Sequence, residues 1–303
     1  MKPDLTVNFA GVCFKNPVTV ASGTFGFGKE YSSFYDLSEL GGICVKGLTE
    51  KGRDGNPPPR IAETPMGILN SVGFQNPGVD LFMETELPFL KRFDTRIIAN
   101  ISGNTVEEYR RMAEKLSDAV DILEVNISCP NIKSGGIAFG TSPESAAAVT
   151  HAVKQVSKIP VMVKLTPNVT DIASIAKACE DAGADALSLI NTILGMKINI
   201  ETGRPVLRNN TGGLSGPAVF PIAVRMVWQV CSAVKIPVMG MGGITTGEDA
   251  IEMFFAGASL ISVGTANFGD PKAPLKIKKG IDDYLIRKNK PSLDCIRGRL
   301  ETY

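Results

Sequence analysis

The chain alternates strand-like and helix-like segments eight times, and this alternation constrains its fold more than any other feature. Short apolar, β-branched runs lie between segments of helical periodicity, which is the pattern of a parallel sheet wound through βα units. The predicted strands are residues 18–21, 42–45, 97–99, 122–125, 161–163, 186–190, 238–241 and 260–263. Eight parallel strands predict an α/β fold of the (β/α)8 TIM barrel type, with residues 1–303 forming a single domain.

Turn and cap signals divide the rest of the chain. Residues 6–14 predict a short hairpin before the first strand, and Ser142-Pro143-Glu144 has the N-cap, first-turn proline and early acid of a helix start. Thr170-Asp171 predicts the start of a second helix, over 172–182, which Gly183 ends. Three stretches exceed the usual connection length, so we expect long active-site loops at 47–77, 130–141 and 192–216.

The composition favours an enzyme that acts on small molecules. The chain carries 32 Lys and Arg against 31 Asp and Glu, an excess too small to attract nucleic acid or an anionic membrane. No apolar run approaches the ~18 residues of a spanning helix, so a cytoplasmic protein is expected. The six cysteines lack the spacing of a zinc or iron-sulfur site, and no Asp/Glu/His cluster suggests a metal. The single histidine, His151, is predicted to be a surface or packing residue in a helix.

A polar residue or a glycine follows each of the eight predicted strands. In order along the chain, these residues are Ser22-Gly23, Lys46-Gly47, Asn100, Asn126, Lys164, Asn191, Gly242-Gly243 and Gly264-Thr265. The carboxyl ends of the strands meet at one face of a TIM barrel, and that face holds the active site. A single Asn or Gly there can be an ordinary turn former. Eight together, two of them lysines that follow apolar strands, indicate a functional rim.

The glycines after the last two strands suit a phosphate group. Backbone NH groups at Gly242-Gly243 and Gly264-Thr265 can approach an anion without obstruction by side chains. The sequence has no Walker A pattern and no G-x-G-x-x-G after a strand, so it lacks a dinucleotide fingerprint. A mononucleotide such as FMN therefore fits better than a dinucleotide.

Cys129 differs from the other cysteines because it lies just beyond a strand end, where a thiol can meet a ligand. Cys13, Cys44, Cys179 and Cys231 occur in apolar or helical patterns and are predicted to be small core residues. A thiol with an ordinary pKa of about 8.5 can act as a base when substrate binding and desolvation assist it. From spacing alone, an incidental buried thiol remains the alternative.

Four motifs resemble class 1 dihydroorotate dehydrogenases, and the likeness extends from about residue 16 to residue 268. They are Asn-Ser-Val-Gly-Phe at 70–74, Asn-Ile-Ser-Cys-Pro-Asn at 126–131, Gly-Gly-Leu-Ser-Gly at 212–216 and Gly-Met-Gly-Gly-Ile at 240–244. The cysteine is typical of class 1, since the membrane-associated class 2 enzymes have serine there and an N-terminal extension that this sequence does not show. Residues 70–78 and 191–196 resemble the NAD-linked type B catalytic subunit more than the fumarate-linked type A enzyme.

The resemblance implies oxidation of dihydroorotate to orotate in de novo pyrimidine synthesis. Cys129 would remove a proton from C5 of the substrate, and a hydride would pass from C6 to N5 of FMN, with one FMN bound per chain. A partner subunit carrying FAD and a [2Fe-2S] cluster would relay the electrons to NAD. The expected assembly is a heterotetramer built on a homodimer of this chain.

The resemblance also implies a set of site residues. The catalytic residues would be Cys129, Lys46 and Lys164, with Lys164 near the flavin ring and Lys46 between flavin and substrate. The flavin contacts would be Ser22, Lys46, Gly47, Asn100, Asn126, Lys164, Ile190, Gly216, Gly242, Gly243, Gly264 and Thr265. The substrate contacts would be Lys46, Asn70, Ser71, Val72, Gly73, Phe74, Asn126, Asn191 and Thr192. The segment after Cys129, with Gly135-Gly136, would be a lid that excludes water.

Other functions remain open at this point. One is a type A-like enzyme that uses fumarate, and another is a different FMN barrel, such as a dihydropyrimidine or dihydrouridine oxidoreductase. A phosphate-binding synthase or aldolase barrel would use Lys164 or Lys46 as a Schiff-base nucleophile. A purely structural or binding role would not require eight polar strand ends.

Overall fold

The computed structural model describes residues 2–128 and 139–303, and eight parallel strands in them form a closed barrel. We label these strands in chain order as β1 (Val18–Val20), β2 (Gly42–Cys44), β3 (Arg96–Ile101), β4 (Ile122–Asn126), β5 (Val161–Lys164), β6 (Ala186–Leu189), β7 (Val238–Met241) and β8 (Leu260–Val263). Each strand pairs with the next one along the chain, and β8 pairs with β1. The predicted (β/α)8 barrel is confirmed, with strand ends within two residues of those predicted.

The barrel strands are buried along almost their whole length. Arg96, at the start of β3, is the one exposed residue in them, and every residue of the other seven strands is buried. Parallel strands covered on both faces need apolar side chains on both faces. This burial explains why the strands are nearly continuous apolar runs in the sequence, without the alternation of a half-exposed sheet.

Helices surround the barrel, and the predicted helix starts agree with the structure. The helical segments are Val79–Leu81, Phe82–Glu86 (a π-helical turn), Leu87–Leu90, Val106–Leu116, Pro143–Lys154, Ile172–Asp181, Phe220–Ala233, Gly247–Phe255, Ala266–Gly269 and Ala273–Arg287. Ser142 caps the helix that begins at Pro143, and its hydroxyl accepts from Ser145 N at 3.3 Å. Asp171 caps the next helix, which ends one residue before the predicted end. No helix in the described part of the chain is both long and apolar enough to cross a membrane.

The predicted N-terminal hairpin is present, as antiparallel strands Val7–Phe9 and Val12–Phe14. One prediction made from this segment is wrong, because Cys13 is exposed and is not a core residue. Its strand alternates between faces, so that Phe14 is fully buried and Cys13 points away from the protein. Cys44 and Cys179 are buried as predicted, and Cys231 is partly buried.

Two of the three stretches expected as loops contain strands that pair with each other. Strands Ile61–Thr64 and Gly67–Asn70 come from the first stretch, and Ile193–Gly195 and Gly212–Ser215 come from the third. All four form an antiparallel sheet, which we call the rim sheet. A further two-stranded pair, Ile198–Asn199 with Arg204–Pro205, extends beyond it. Of the second stretch, 130–141, only residues 139–141 lie within the described part of the chain.

Candidate active site

Three asparagine amides at the carboxyl ends of the barrel strands form a connected row. Asn126 is the last residue of β4, and its amide nitrogen donates to Asn100 Oδ1 at 3.4 Å. Asn191, two residues after β6, donates in turn to Asn126 Oδ1 at 3.4 Å. Because parallel strands end at the same rim, residues separated by up to 91 positions in the sequence lie side by side. The row carries amide groups that can both donate to and accept from a polar ligand.

Lys164 ends β5 beside Asn126, and its side chain is almost completely buried. It is 5% exposed, and its ammonium lies 4.0 Å from a carboxylate oxygen of Glu124, which is 0% exposed. Glu124 is a site residue that the sequence analysis missed. The available signal was an acid inside the otherwise apolar strand Ile122–Asn126, since a charge buried in a strand needs a compensating partner.

Lys46 enters the same rim from the end of β2. Its ammonium lies 5.9 Å from the centroid of the Phe74 ring, and no described residue accepts a hydrogen bond from it. Burial lowers the pKa of Lys46, and the positive charges of Lys164 and Arg60 lower it further. A Cβ on the adjacent Gly47 would lie 2.8 Å from Asn100 Oδ1, so only glycine fits there. A partly buried ammonium without an acceptor is suited to binding an anion.

The rim sheet brings the predicted substrate residues Asn70 and Thr192 together. Asn70 pairs with Gly213 in the sheet, and its amide nitrogen donates to Gly213 O at 3.4 Å. A Cβ on Gly213 would overlap the Thr192 side chain, so both residues pack directly around this glycine. The sheet is tied to the barrel end, because Thr265 Oγ1 donates to Ser215 Oγ at 2.8 Å.

Residues 71–74 form a turn that faces Lys46 and Gly47. Ser71 N donates to Arg60 O at 2.8 Å, and Val72 O accepts from Asn56 N at 2.9 Å. Gly73 and Phe74 both have positive φ, which fixes a tight turn. The Ser71 hydroxyl is buried and has no hydrogen-bond partner in the described structure. An unpartnered hydroxyl at this position is consistent with a ligand-binding turn.

Glycines on the opposite side of the rim form a cradle of the kind that binds a phosphate. Gly216, Gly242 and Gly243 have positive φ, and a Cβ on Gly243 would lie 2.8 Å from Gly216 O. Within the described residues, the NH groups of Gly242, Gly243 and Gly264 donate to no protein acceptor. A Cβ placed on Gly264 would make ordinary van der Waals contact with Ala21 Cβ at 3.6 Å, so this position is less crowded than Gly243. Free amides in an open cradle fit a mononucleotide phosphate such as that of FMN.

Two remaining predicted flavin contacts lie next to these groups. Ile190 follows β6, and its Cγ1 would lie 3.0 Å from a Cβ on Gly242, so it packs directly against the cradle. Ser22 follows β1, the strand that pairs with β8, and is partly buried. The described residues predicted for the site therefore share one face of the barrel.

The proposed base, Cys129, and the predicted lid glycines at 135–136 lie outside the described residues. The chain leading to Cys129 is held at the rim. Ser128 Oγ donates to Lys164 O at 3.0 Å, and Ser128 N donates to Asn126 Oδ1 at 3.2 Å. The Tyr109 hydroxyl anchors the same segment by donating to Asn126 O at 2.7 Å.

Two buried thiols and the histidine are unsuited to a role as acid or base. Burial raises the pKa of the Cys179 thiol to about 12, and burial with the nearby Glu124 carboxylate raises that of Cys44 well above its usual range. Both thiols therefore stay protonated at neutral pH. His151 is exposed on the helix Pro143–Lys154, where its ring contacts Gln155, as predicted for a surface residue.

Comparison with known proteins adds a family assignment. A profile of the dihydroorotate dehydrogenase family matches residues 4–285. The dihydroorotate dehydrogenase B (NAD(+)) catalytic subunit of Geobacillus kaustophilus is 61% identical over 269 residues, 88% of this chain and 86% of that protein. Subunits of the same name from Caldicellulosiruptor saccharolyticus and Alkaliphilus metalliredigens are each 56% identical, over 98% and 99% of this chain and 99% of each relative. The family profile spans all eight barrel strands and the rim that they form.

Proposed function

The chain belongs to the dihydroorotate dehydrogenase family, and from that premise we propose that it oxidises dihydroorotate to orotate in de novo pyrimidine synthesis. It would act as the catalytic subunit of an NAD-linked, type B enzyme, with residues 1–303 forming one FMN-binding domain. The observation that carries the proposal is the Lys46 ammonium, which is partly buried at the rim without an acceptor in the described structure. It lies where the turn 71–74 and the asparagine row meet, and it suits the carboxylate of an anionic substrate.

The proposed reaction removes a proton and a hydride from adjacent carbons. Cys129 takes the proton from C5, a hydride leaves C6, and a double bond forms between the two carbons. FMN supplies the hydride acceptor when it is bound. Exclusion of water strengthens the interactions that stabilise negative charge developing on carbon, and the buried amides of Asn100 and Asn126 indicate such surroundings. Lys46 and Lys164 provide positive charge where negative charge develops.

The proposed contacts follow from the two sides of the rim. The glycine cradle after β7 and β8 would hold the phosphate of FMN through its free amides. Lys164, Asn100 and Asn126 would lie along the flavin ring. Asn70, Asn191 and Thr192 would present amide and hydroxyl groups to the alternating NH and C=O groups of the substrate ring. The turn 71–74 would help to hold the substrate carboxylate.

A partner subunit completes the proposed enzyme. The relatives are named as catalytic subunits of an NAD(+) enzyme, and this chain has no dinucleotide fingerprint of its own. We propose that a separate subunit carries FAD and a [2Fe-2S] cluster, and that a homodimer of this chain forms the core of a heterotetramer. A cytoplasmic location also remains a prediction.

The proposal can be tested by mixing the purified FMN-loaded chain with dihydroorotate without oxygen. We expect the flavin absorbance to bleach and orotate to form in equal amount. In Cys129→Ala the flavin should remain bound, while its rate of reduction falls by a factor of about 10² to 10⁴ because the base is lost. Single-turnover reduction of that variant at the wild-type rate would reject Cys129 as the base. A wild-type chain that binds no flavin would favour the Schiff-base alternative.

A further inference from the structure

A buried carboxylate lies inside the barrel directly below the proposed site. Of the residues that the structure describes, Glu124 and Lys164 are the two charged side chains that are almost fully buried. Glu124 belongs to β4, two residues before Asn126, so both side chains point to the same face of the strand. A buried charge is costly unless it is paired and hydrogen-bonded. Its presence therefore calls for a function.

Three side chains that can donate hydrogen bonds surround the Glu124 carboxylate. Oε1 accepts from the Ser188 hydroxyl at 2.7 Å, and Oε2 accepts from the Cys44 thiol at 3.0 Å and from the Asn100 amide nitrogen. All three partners can donate to a carboxylate, which when ionised only accepts. The partners come from β6, β2 and β3, so this one group connects four strands at the centre of the barrel.

An acceptor that cannot donate determines the orientation of Asn100, the first amide of the asparagine row. Because Glu124 takes the amide nitrogen of Asn100, the Oδ1 atom of Asn100 is turned toward Asn126. Asn126 must then donate through its own nitrogen, which leaves its Oδ1 to accept from Asn191. The other two amides are also oriented by backbone donors, because Ser128 N donates to Asn126 Oδ1 at 3.2 Å and Thr192 N donates to Asn191 Oδ1 at 2.9 Å. Asn100 has no such backbone donor in the described structure, so the carboxylate fixes its direction and keeps its Oδ1 as the acceptor for Asn126.

The same carboxylate sets the charge balance at the rim. Its Oε2 lies 4.0 Å from the Lys164 ammonium, and both groups are shielded from water. Charges interact strongly at this distance in a buried site, so Glu124 offsets part of the positive potential that Lys164 creates. A flavin ring gains negative charge on reduction, and its reduction potential depends on that local balance.

We propose that Glu124 is a positioning residue that fixes the direction of the Asn100 amide, the acceptor for Asn126, and moderates the charge of Lys164. The inference rests on the proposed function, since it assigns these groups to a flavin and its substrate. Glu124 itself touches neither the substrate nor the flavin in this scheme. It acts through the side chains that do.

The test uses Glu124→Gln in the FMN-loaded chain, with two measurements. Equilibration with a dye of known potential should show a positive shift of the flavin midpoint potential, by about 30 mV for each tenfold gain in preference for the reduced form. Titration with orotate, followed by flavin absorbance, should show an affinity loss of about tenfold, because Gln can both donate and accept, so Asn100 can reverse and Asn126 then loses its acceptor.

Ser188→Ala is the matched control, because it removes one neutral donor from the same carboxylate and keeps the charge. We expect the orotate dissociation constant of Ser188→Ala to stay within about twofold of the wild-type value. The shift of its midpoint potential should correspond to no more than about a twofold change in the equilibrium constant for flavin reduction. Glu124→Asp tests the charge and the length of this side chain separately, because Asp keeps the charge and is one methylene shorter. It should keep the potential but lose about fivefold in orotate affinity, since the shorter side chain no longer reaches Asn100.

Three results would overturn the inference. The first is that Glu124→Gln matches Ser188→Ala in both measurements. The second is that Glu124→Asp binds orotate with wild-type affinity. The third is that the midpoint potential shifts equally in Ser188→Ala and Glu124→Gln. If Glu124→Gln does not fold, Glu124→Asp still decides the question.

A wild-type chain that does not bind orotate would reject the proposed function. The comparison of potentials needs no substrate and would still test Glu124.

Discussion

Lys46 combines a cost to stability with a proposed binding role. Its pKa is lowered mainly by burial, so between that pKa and the ordinary value of 10.5 the unfolded chain binds more protons than the folded chain. The free energy of unfolding therefore rises with pH across that window, and the destabilisation is full below the lowered pKa. We expect Lys46→Met to raise the stability of the flavin-free protein by about 1 kcal/mol at pH 7 while it weakens orotate binding in the loaded protein.

Chemical unfolding at pH 7 and pH 10 checks this expectation, because the advantage of Lys46→Met should shrink as the pH approaches 10.5. Lys158→Met is the control, since Lys158 is exposed and its ion pair with Asp118 lies at the surface. A Lys46→Met protein that is less stable than wild type at pH 7 would show that the ammonium has a stabilising partner.

Single residues differ in how much of their role the sequence reveals. Lys46 and Lys164 could be predicted as rim residues because each directly follows an apolar strand. Glu124 could not be assigned in the same way, since its partners Cys44 and Ser188 lie 80 and 64 positions away on other strands. A buried network of this kind is defined by barrel closure and has no local signature.

At the scale of elements, the rim sheet determines where the proposed substrate residues lie. Gly213→Ala places a methyl group against the Thr192 side chain, in a strand that is paired on both sides. We expect kcat/KM for dihydroorotate to fall by about tenfold, because overpacking displaces Thr192, while flavin affinity remains unchanged. Steady-state kinetics and flavin titration of the same preparation measure the two effects.

Gly269→Ala is the comparison for this change. Nothing lies within 4 Å of a Cβ at Gly269, and its φ is not positive, so the substitution should be neutral in both assays. Equal losses in the two variants would point to a general effect of removing glycine. Loss of flavin binding in Gly213→Ala would mean that the rim sheet supports the cofactor side of the rim instead.

The elements also differ in how well the sequence predicts them. The helix starts at Ser142 and Asp171 were predictable because an N-cap and its first turn are adjacent in the chain. The rim sheet was expected to be two separate loops. Gly67–Asn70 forms a local hairpin with Ile61–Thr64, but its pairing with Gly212–Ser215 joins four-residue strands that lie far apart in sequence, and no local pattern reveals that pairing.

The whole molecule is proposed to pass electrons to another subunit. We expect the isolated FMN-loaded chain to be reduced by dihydroorotate but not to reduce NAD, because it has no dinucleotide fingerprint. Addition of the electron-transfer subunit should restore NAD reduction. A steady-state assay that compares NAD with fumarate, with and without that subunit, measures the acceptor directly. Efficient NAD reduction by the chain alone, or turnover with fumarate, would contradict the type B proposal.

At this scale the sequence was most informative. Eight apolar runs separated by segments of helical periodicity predicted the closed barrel, because parallel strands buried on both faces are nearly continuous apolar runs in the sequence. The common rim then followed from topology alone, since parallel strands end on the same side. The orientation of each side chain on that rim depends on contacts between strands, which no single segment encodes.

The pairing of β1 with β8 also governs when the protein can first become active during its synthesis. Thr19 donates to the carbonyl of Ile261, 242 positions later, and this seam closes the barrel. The glycine cradle at 242–243 and 264 belongs to the same late part of the chain. A chain still emerging from the ribosome therefore has an open sheet edge and lacks the amides that we propose for the phosphate. The cofactor site is completed only when nearly all of the polypeptide has been made, so a truncated chain would not retain flavin.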